Sequence, residues 1–257
     1  MENSTGDLVL YFLNKNVIKW ATLSTLKIKK LKIPSDYLIQ DILQIPNMRL
    51  IINGAKRVEE GYKEHTIFIY DSTDMTEIDT HKFGIVGFKM IFNENKIFFL
   101  SDKKCQAYSM SSERYSNIAD MPSKHINPGC CSFNEGIVVI GGLNNKDIDL
   151  YRPETNEWRN CGKLEFDMFA VACVQINANQ VLIVSYKEFY KLDVYLGKII
   201  YHGIMPVKSK STKIGNLVVK DDLVYCVFGS SIILRYSILD NKWTRLQKPK
   251  NKCCVII

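Results

Sequence analysis

One stretch, GCCSFNEGIVVIGGLNNKDIDLYRPETNEW from Gly129 to Trp158, holds a pattern that recurs along the chain and restricts its fold more than any other feature. A first apolar run ends at Asn134-Glu135-Gly136, a second at Gly141-Gly142 and a third at Tyr151, and Trp158 lies in a fourth. Four short runs joined by tight turns predict one antiparallel sheet. NLVVKDDLVYCVFGSSIILRYSILDNKW repeats the unit with Gly229, Tyr236 and Trp243. MIFNENKIFFLSDKKCQAYSMSSERY has Ser101-Asp102 in place of the glycines, with Tyr108 and Tyr115 as its aromatics. VQINANQVLIVSYKEFYKLDVYLGKI keeps the apolar skeleton with Leu192 and Ile199. The stretch from Asn47 carries Asn53-Gly54, a long second turn and Tyr70, and the stretch from Gly6 carries Trp20. The third-run anchors Trp20, Tyr70, Tyr108, Tyr151, Leu192 and Tyr236 are spaced by 50, 38, 43, 41 and 44 residues, one sheet per repeat.

The double glycine after the second run, with Tyr151 and Trp158 in the third and fourth, resembles the kelch repeat. The resemblance implies an all-β, six-bladed kelch-type β-propeller, since each sheet has faces that only neighbouring sheets can cover. The repeats divide one domain, 1–257, into blades at 6–31 with 252–257, 37–84, 87–122, 126–165, 169–206 and 212–248. Where Ser101-Asp102 replaces the glycines the turn must differ locally, because glycine most easily takes positive φ. Trp20, Tyr70, Tyr108, Tyr151, Trp158, Tyr236 and Trp243, with Gly141, Gly142 and Gly229, follow the structural period and are expected to be scaffold packed between blades. KIKKLKIP, Lys27 to Pro34, has the basic character of a nuclear signal but alternates like a fourth strand.

The first repeat opens with what reads as a second strand, so the ring lacks one. The C-terminal Cys253 to Ile257 is a β-branched apolar run of the right length to supply it, as C-termini often do in propellers of this kind. The same letters end in Cys254-Val-Ile-Ile, the form of a prenylation box. Ring closure by the C-terminal strand is the expectation here, with no membrane anchor, because an anchored tail leaves apolar edges exposed.

Eight cysteines lie mostly inside apolar runs with no Cys-x-x-Cys spacing, which points to reduced thiols and a cytoplasmic protein rather than a disulfide framework or a metal site. Only four histidines are present, and no Gly-x-Ser-x-Gly, P-loop or dinucleotide motif occurs. The chain therefore reads as non-enzymatic, with no cofactor, no metal and no catalytic residue. The net charge of +7 is carried mostly by lysine, 27 of the 34 basic residues.

Loops between second and third strands and connections between blades crowd one rim of a propeller, and loops on a rigid scaffold carry recognition. The rim candidates are Lys15, Lys56, Arg57, Tyr62, Lys103, Lys104, Lys124, His125, Lys146, Lys187, Lys208 and Lys210. Met121-Pro122-Ser123-Lys124 and Met205-Pro206-Val207-Lys208 resemble a Met-Pro-x-x-Arg opening of kelch connections, with lysine substituted. His125 reads as a solvated loop histidine, and the loop Ala55 to Glu64, with Tyr62 as an aromatic anchor, as the partner-specific element. The leading function is a protein–protein interaction module, a scaffold or substrate-recognition unit that binds an acidic peptide or partner surface. The resemblance implies ubiquitin-ligase or cytoskeletal partners, although the chain has no room for the BTB domain of kelch adaptors. Two alternatives stay open: a divergent enzyme with a small-molecule site in the central channel, and an electrostatic nucleic-acid binder, ranked last because arginine is sparse.

Overall fold

The computed structural model describes residues 9–14, 17–22, 29–33, 35–45, 49–58, 61–71, 74–81, 89–134, 136–168, 171–186, 188–207, 214–228 and 232–246. Among them the chain is all β and contains no helix. The strands form six sheets, each an antiparallel meander in chain order. Sheet 1 is β1 (Val9–Asn14), β2 (Val17–Thr22) and β3 (Lys29–Lys32). Sheet 2 is β4 (Tyr37–Ile45), β5 (Arg49–Val58), β6 (Gly61–Asp71) and β7 (Asp74–His81). Sheet 3 is β8 (Lys89–Asn93), β9 (Lys96–Ser101), β10 (Lys104–Ser109) and β11 (Arg114–Asn117). Sheet 4 is β12 (Gly129–Phe133), β13 (Gly136–Gly142), β14 (Asn145–Arg152) and β15 (Glu157–Lys163). Sheet 5 is β16 (Ala172–Gln175), β17 (Gln180–Ser185), β18 (Glu188–Asp193) and β19 (Lys198–Ile204). Sheet 6 is β20 (Ile214–Lys220), β21 (Leu223–Phe228), β22 (Ile232–Ser237) and β23 (Lys242–Leu246).

The sheets stand in a ring as a β-propeller. The first strands β4, β8, β12, β16 and β20 are neighbours in turn around the axis, and β1 stands beside β20. Complete four-stranded blades number five, not the expected six, because sheet 1 has only three strands among the described residues. The closing strand expected from Cys253 to Ile257 lies outside the described residues, as does the prenylation-like ending. Of the strands described in sheet 1, β1 is the axial one: the Tyr11 amide donates to Asn216 Oδ1 on β20 at 2.9 Å, and the Tyr11 hydroxyl donates to the Ile42 carbonyl on β4.

Second strands are buried almost throughout, as in GIVVIGG of β13, KIFFLS of β9 and QVLIVS of β17. A strand covered on both faces by neighbouring sheets reads as a continuous apolar run, while an outer strand such as β15 is mostly exposed or half-buried. The core is therefore divided among the gaps between sheets. Ile18 packs with Ile42, Leu50 and Phe68 between sheets 1 and 2, and Phe98 and Leu100 pack with Val139 and Tyr151 between sheets 3 and 4. Leu150 meets Val181 and Tyr190 between sheets 4 and 5, and Phe189 meets Tyr236 and Trp243 between sheets 5 and 6.

The aromatic period is a cross-strand pairing. Tyr151 lies opposite Trp158 with ring centroids 5.0 Å apart, and Tyr236 opposite Trp243 at 5.1 Å. Tyr108 and Tyr115 repeat it at 4.9 Å, while Tyr70 faces Met75 and Leu192 faces Ile199. The Tyr151 hydroxyl donates to Asn156 Oδ1 and the Tyr236 hydroxyl to Asn241 Oδ1, the same five-residue offset in both sheets. Trp20 lies on β2 opposite Tyr11. Gly229 lies outside the described residues.

The kelch-like glycines have a specific task. Gly141 is the extra residue of a β-bulge between Ile140 and Gly142, at φ +61°, and an added Cβ would stand 2.6 Å from the Met168 carbonyl oxygen. Sheets 3 and 5 turn without the bulge: Ser101 pairs with Lys104 and Ser185 with Glu188, and the positive φ falls on Asp102 (57°) and Tyr186 (52°). The local difference expected for these turns is a loss of one bulge residue with the left-handed step retained.

Candidate interaction rim and axial cavity

The turns between second and third strands and the connections between sheets are laced together along one rim. Asp102 and His125 exchange backbone hydrogen bonds of 3.1 and 2.8 Å, joining the β9–β10 turn to the connection between sheets 3 and 4. The Leu143 amide donates to Ile126 O and the Gly142 amide to Met168 O, joining the β13–β14 turn to the connections on both sides. Lys124 Nζ reaches Asp102 at 3.2 Å, and Asn145 Nδ2 donates to Lys124 O at 2.8 Å.

His125 is not the solvated loop residue its sequence context suggested. Its side chain is buried, with Nδ1 2.6 Å from the Gly141 carbonyl and Nε2 2.9 Å from Asp149 Oδ2 on β14. Both ring nitrogens are thus engaged, which fixes the orientation of the imidazole between the β13–β14 turn and β14. Burial works against the Asp149 charge, but hydrogen bonds from His125, Asn160 and Ser123 outweigh it and hold the carboxyl below its ordinary range. Residues so placed cannot touch a partner. They pin the connection that carries Lys124.

Of the other rim candidates, Lys56, Lys103, Lys104, Lys124 and Lys146 are exposed. Lys104 pairs with Asp120 at 2.6 Å, and Lys146 Nζ donates to the Glu165 carbonyl at 3.0 Å. Arg57 and Tyr62 face each other across β5 and β6, but their side chains lie outside the described residues, as do Lys15, Lys187, Lys208 and Lys210 altogether. The expected loop Ala55 to Glu64 is largely strand, because β5 and β6 pair out to Val58 opposite Gly61. Lys103, Lys104, Lys124 and Lys146 thus belong to one described sector, over sheets 3 and 4.

The inner strands of all six sheets enclose an axial cavity of about 510 Å³. Its wall includes Tyr11, Asp41, Lys89, Cys130, Cys173 and Asn216. Asp41 accepts from the Met90 amide at 2.7 Å and lies 3.6 Å from Lys89 Nζ. Asp41 holds the Lys89 ammonium above its ordinary value, against the effect of burial. Burial pushes the Cys130 thiol up, and a hydrogen bond with Cys131 together with burial does the same for Cys173, which favours the thiol over the thiolate at both. The cysteines among the described residues are free, and no group of three potential metal ligands occurs among those residues. Neither the Asp41–Lys89 pair nor the His125–Asp149 pair has a local sequence signal, since the partners are separated by 48 and 24 residues.

Residues 126–165 match the Kelch motif. No curated protein matches the chain in sequence. Among 1034 solved chains with a similar fold is one in a crystal structure of a nidogen/laminin complex, with a TM-score of 0.68 over 96% of this chain and 95% of that one at 10% identity. That likeness concerns the fold alone. Propellers built on the kelch motif commonly serve as protein-interaction modules. The matched residues fall on sheet 4, one of six sheets set in a ring, so the chain is a β-propeller that carries a Kelch motif in one of its sheets.

Proposed function

We propose that the chain is a non-enzymatic protein-interaction module that binds an acidic peptide or an acidic partner surface at its lysine-bearing rim. One observation carries this reading: Lys103, Lys104, Lys124 and Lys146 share a sector whose loops are cross-braced by backbone hydrogen bonds and by the buried His125–Asp149 pair. A braced surface loses little conformational entropy on binding, and the lysines, which outnumber Asp102 and Asp120 there, select an acidic partner by sign and speed its encounter. The free thiols favour a reducing compartment, and we place the protein in the cytosol. Affinity capture from lysate, comparing the wild type with a Lys103→Glu, Lys124→Glu double variant, tests the reading. Acidic protein partners held by the wild type and lost by the variant support it. Capture of nucleic acid alone, or of the same proteins by both forms, refutes it.

The axial cavity favours a second reading, a small-molecule site, because Lys89 and Asp41 present opposite charges to a space large enough for a metabolite-sized ligand. A thermal-shift screen of small polar metabolites, repeated on Lys89→Met, tests it: a stabilising ligand whose effect vanishes in the variant puts the site in the cavity.

A further inference from the structure

Next to the lysine sector the rim changes character. Ile204 at the end of β19 is 74% exposed, Tyr186 in the β17–β18 turn 47% and Phe166 in the connection between sheets 4 and 5 38%. Phe166 and Ile204 belong to one patch over sheet 5, and Tyr186 stands two residues before Glu188 in the turn at its edge. Phe166 stands over Tyr190 with ring centroids 5.3 Å apart, Tyr190 stacks on His202 at 4.7 Å, and Ile204 lies opposite Glu188, on the same face of sheet 5 as the Tyr190–His202 pair. The Tyr190 hydroxyl donates to Glu188, which also faces His202 Nε2 at 3.6 Å, so the polar atoms beneath the patch are engaged with one another. Leu143, 47% exposed and tied to Ile126 of the preceding connection, continues the apolar surface back toward Lys124. Around the patch Glu165, Asp167 and Glu188 are exposed, the opposite sign from the lysines over sheets 3 and 4; Lys146, on the Glu165 carbonyl, marks the boundary, and the exposed Lys163 is paired with Asp147.

Resting on the acidic-partner reading above, we infer that the partner segment is bipartite, with an acidic half on Lys103, Lys104, Lys124 and Lys146 and an apolar or aromatic half on Phe166, Tyr186 and Ile204. The segregation of charge fixes its direction along the rim. The acidic half is repelled by Glu165, Asp167 and Glu188 and attracted by the lysines, so a peptide laid in reverse loses on both counts. Neighbouring sheets pack about 10 Å apart and an extended chain rises about 3.3 Å per residue, so a crossing from sheet 3 to sheet 5 takes roughly six residues or more. An apolar anchor beside a charged rim is the usual division between affinity and selectivity in an interface.

The test is a phage-displayed library of random 12-residue peptides panned on the purified protein, with enriched peptides titrated against Lys103→Glu, Lys124→Glu and against Phe166→Ser, Ile204→Ser. Ile204→Ser alone, at a largely exposed position, serves as the variant that keeps the fold. The expected result is enrichment of peptides with one acidic and one apolar half in a constant order, bound at least tenfold more weakly by the lysine variant and by both apolar variants. Acidic peptides that bind the serine variants as tightly as the wild type overturn the bipartite segment and leave the acidic-partner reading standing. Apolar peptides indifferent to the lysine variant overturn both, as does a library from which nothing is enriched.

Discussion

His125 Nε2 lies 2.9 Å from Asp149 Oδ2 with both side chains buried, directly behind the exposed Lys124. Removing one partner of such a buried pair strands the groups that hydrogen-bond to it, at a cost of up to about 3–5 kcal/mol. Asp149→Ala is therefore expected to lower unfolding stability by about that amount, measured by urea denaturation at pH 7. A loss below about 1 kcal/mol would show that the pair contributes little.

The same carboxylate makes stability depend on pH in a stated direction. Its carboxyl sits below the ordinary value of 3.8 in the folded protein, so its contribution is present in full above that value and is lost as pH falls through the folded one. The stability gap between the wild type and Asp149→Asn should be constant from neutral pH down to about 5 and close progressively below about 4. A gap that widened on acidification would contradict the assignment.

Gly141 should tolerate no side chain. Alanine at φ +61° bears the left-handed penalty of about 1–2 kcal/mol, and its Cβ meets the Met168 carbonyl oxygen at 2.6 Å. Gly141→Ala should lower the melting temperature by several degrees, and by more than alanine in place of Lys146 on the exposed side of the same hairpin.

The periodic parts of the molecule were legible because they repeat a local pattern. Tyr108, Tyr151, Leu192 and Tyr236 fall on the third strands of their sheets, and Gly141-Gly142 closes β13. Asp149 was not legible: in KDIDLY it reads as the outward residue of a strand, and its histidine lies on a connection 24 residues earlier. The Ala55 to Glu64 stretch was misread as a loop because its charges hid a continuing ladder, Lys56 opposite Glu64. The apolar patch left only a weak trace, KIIYHGI of β19, a more apolar run than RYSN of β11 at the same place in sheet 3.

Lys89 and Asp41 join sheets 2 and 3 at the axis. Each of Lys89→Met and Asp41→Asn should destabilise the protein, and the double variant should cost less than the two losses added, with a coupling of about 0.5–3 kcal/mol. Additive losses in a double-mutant cycle would mean that the 3.6 Å contact contributes no energy of its own.

The two tryptophans of the aromatic period invite a direct comparison, because the same residue is satisfied in one sheet and orphaned in the other. Trp158 Nε1 donates to Ala119 O at 2.8 Å, and Asn156 Oδ1 accepts from the Ala119 amide, so the tryptophan and the turn beside it clasp the preceding connection. Trp243 is more deeply buried, yet its Nε1 has no hydrogen-bond partner among the described residues. Gly203, placed as Ala119 is relative to the following Met-Pro pair, is still within β19 and paired with Phe189. Trp158→Phe gives up a hydrogen bond of about 0.5–1.5 kcal/mol, whereas Trp243→Phe removes a buried donor whose desolvation costs about 1–3 kcal/mol. Both changes lose the same ring volume. Burial alone predicts the larger loss at Trp243, and hydrogen bonding predicts it at Trp158. The expected order is a smaller loss for Trp243→Phe, by about 1 kcal/mol or more in paired urea titrations. The reverse order would show that packing volume, not the polar edge, governs this position.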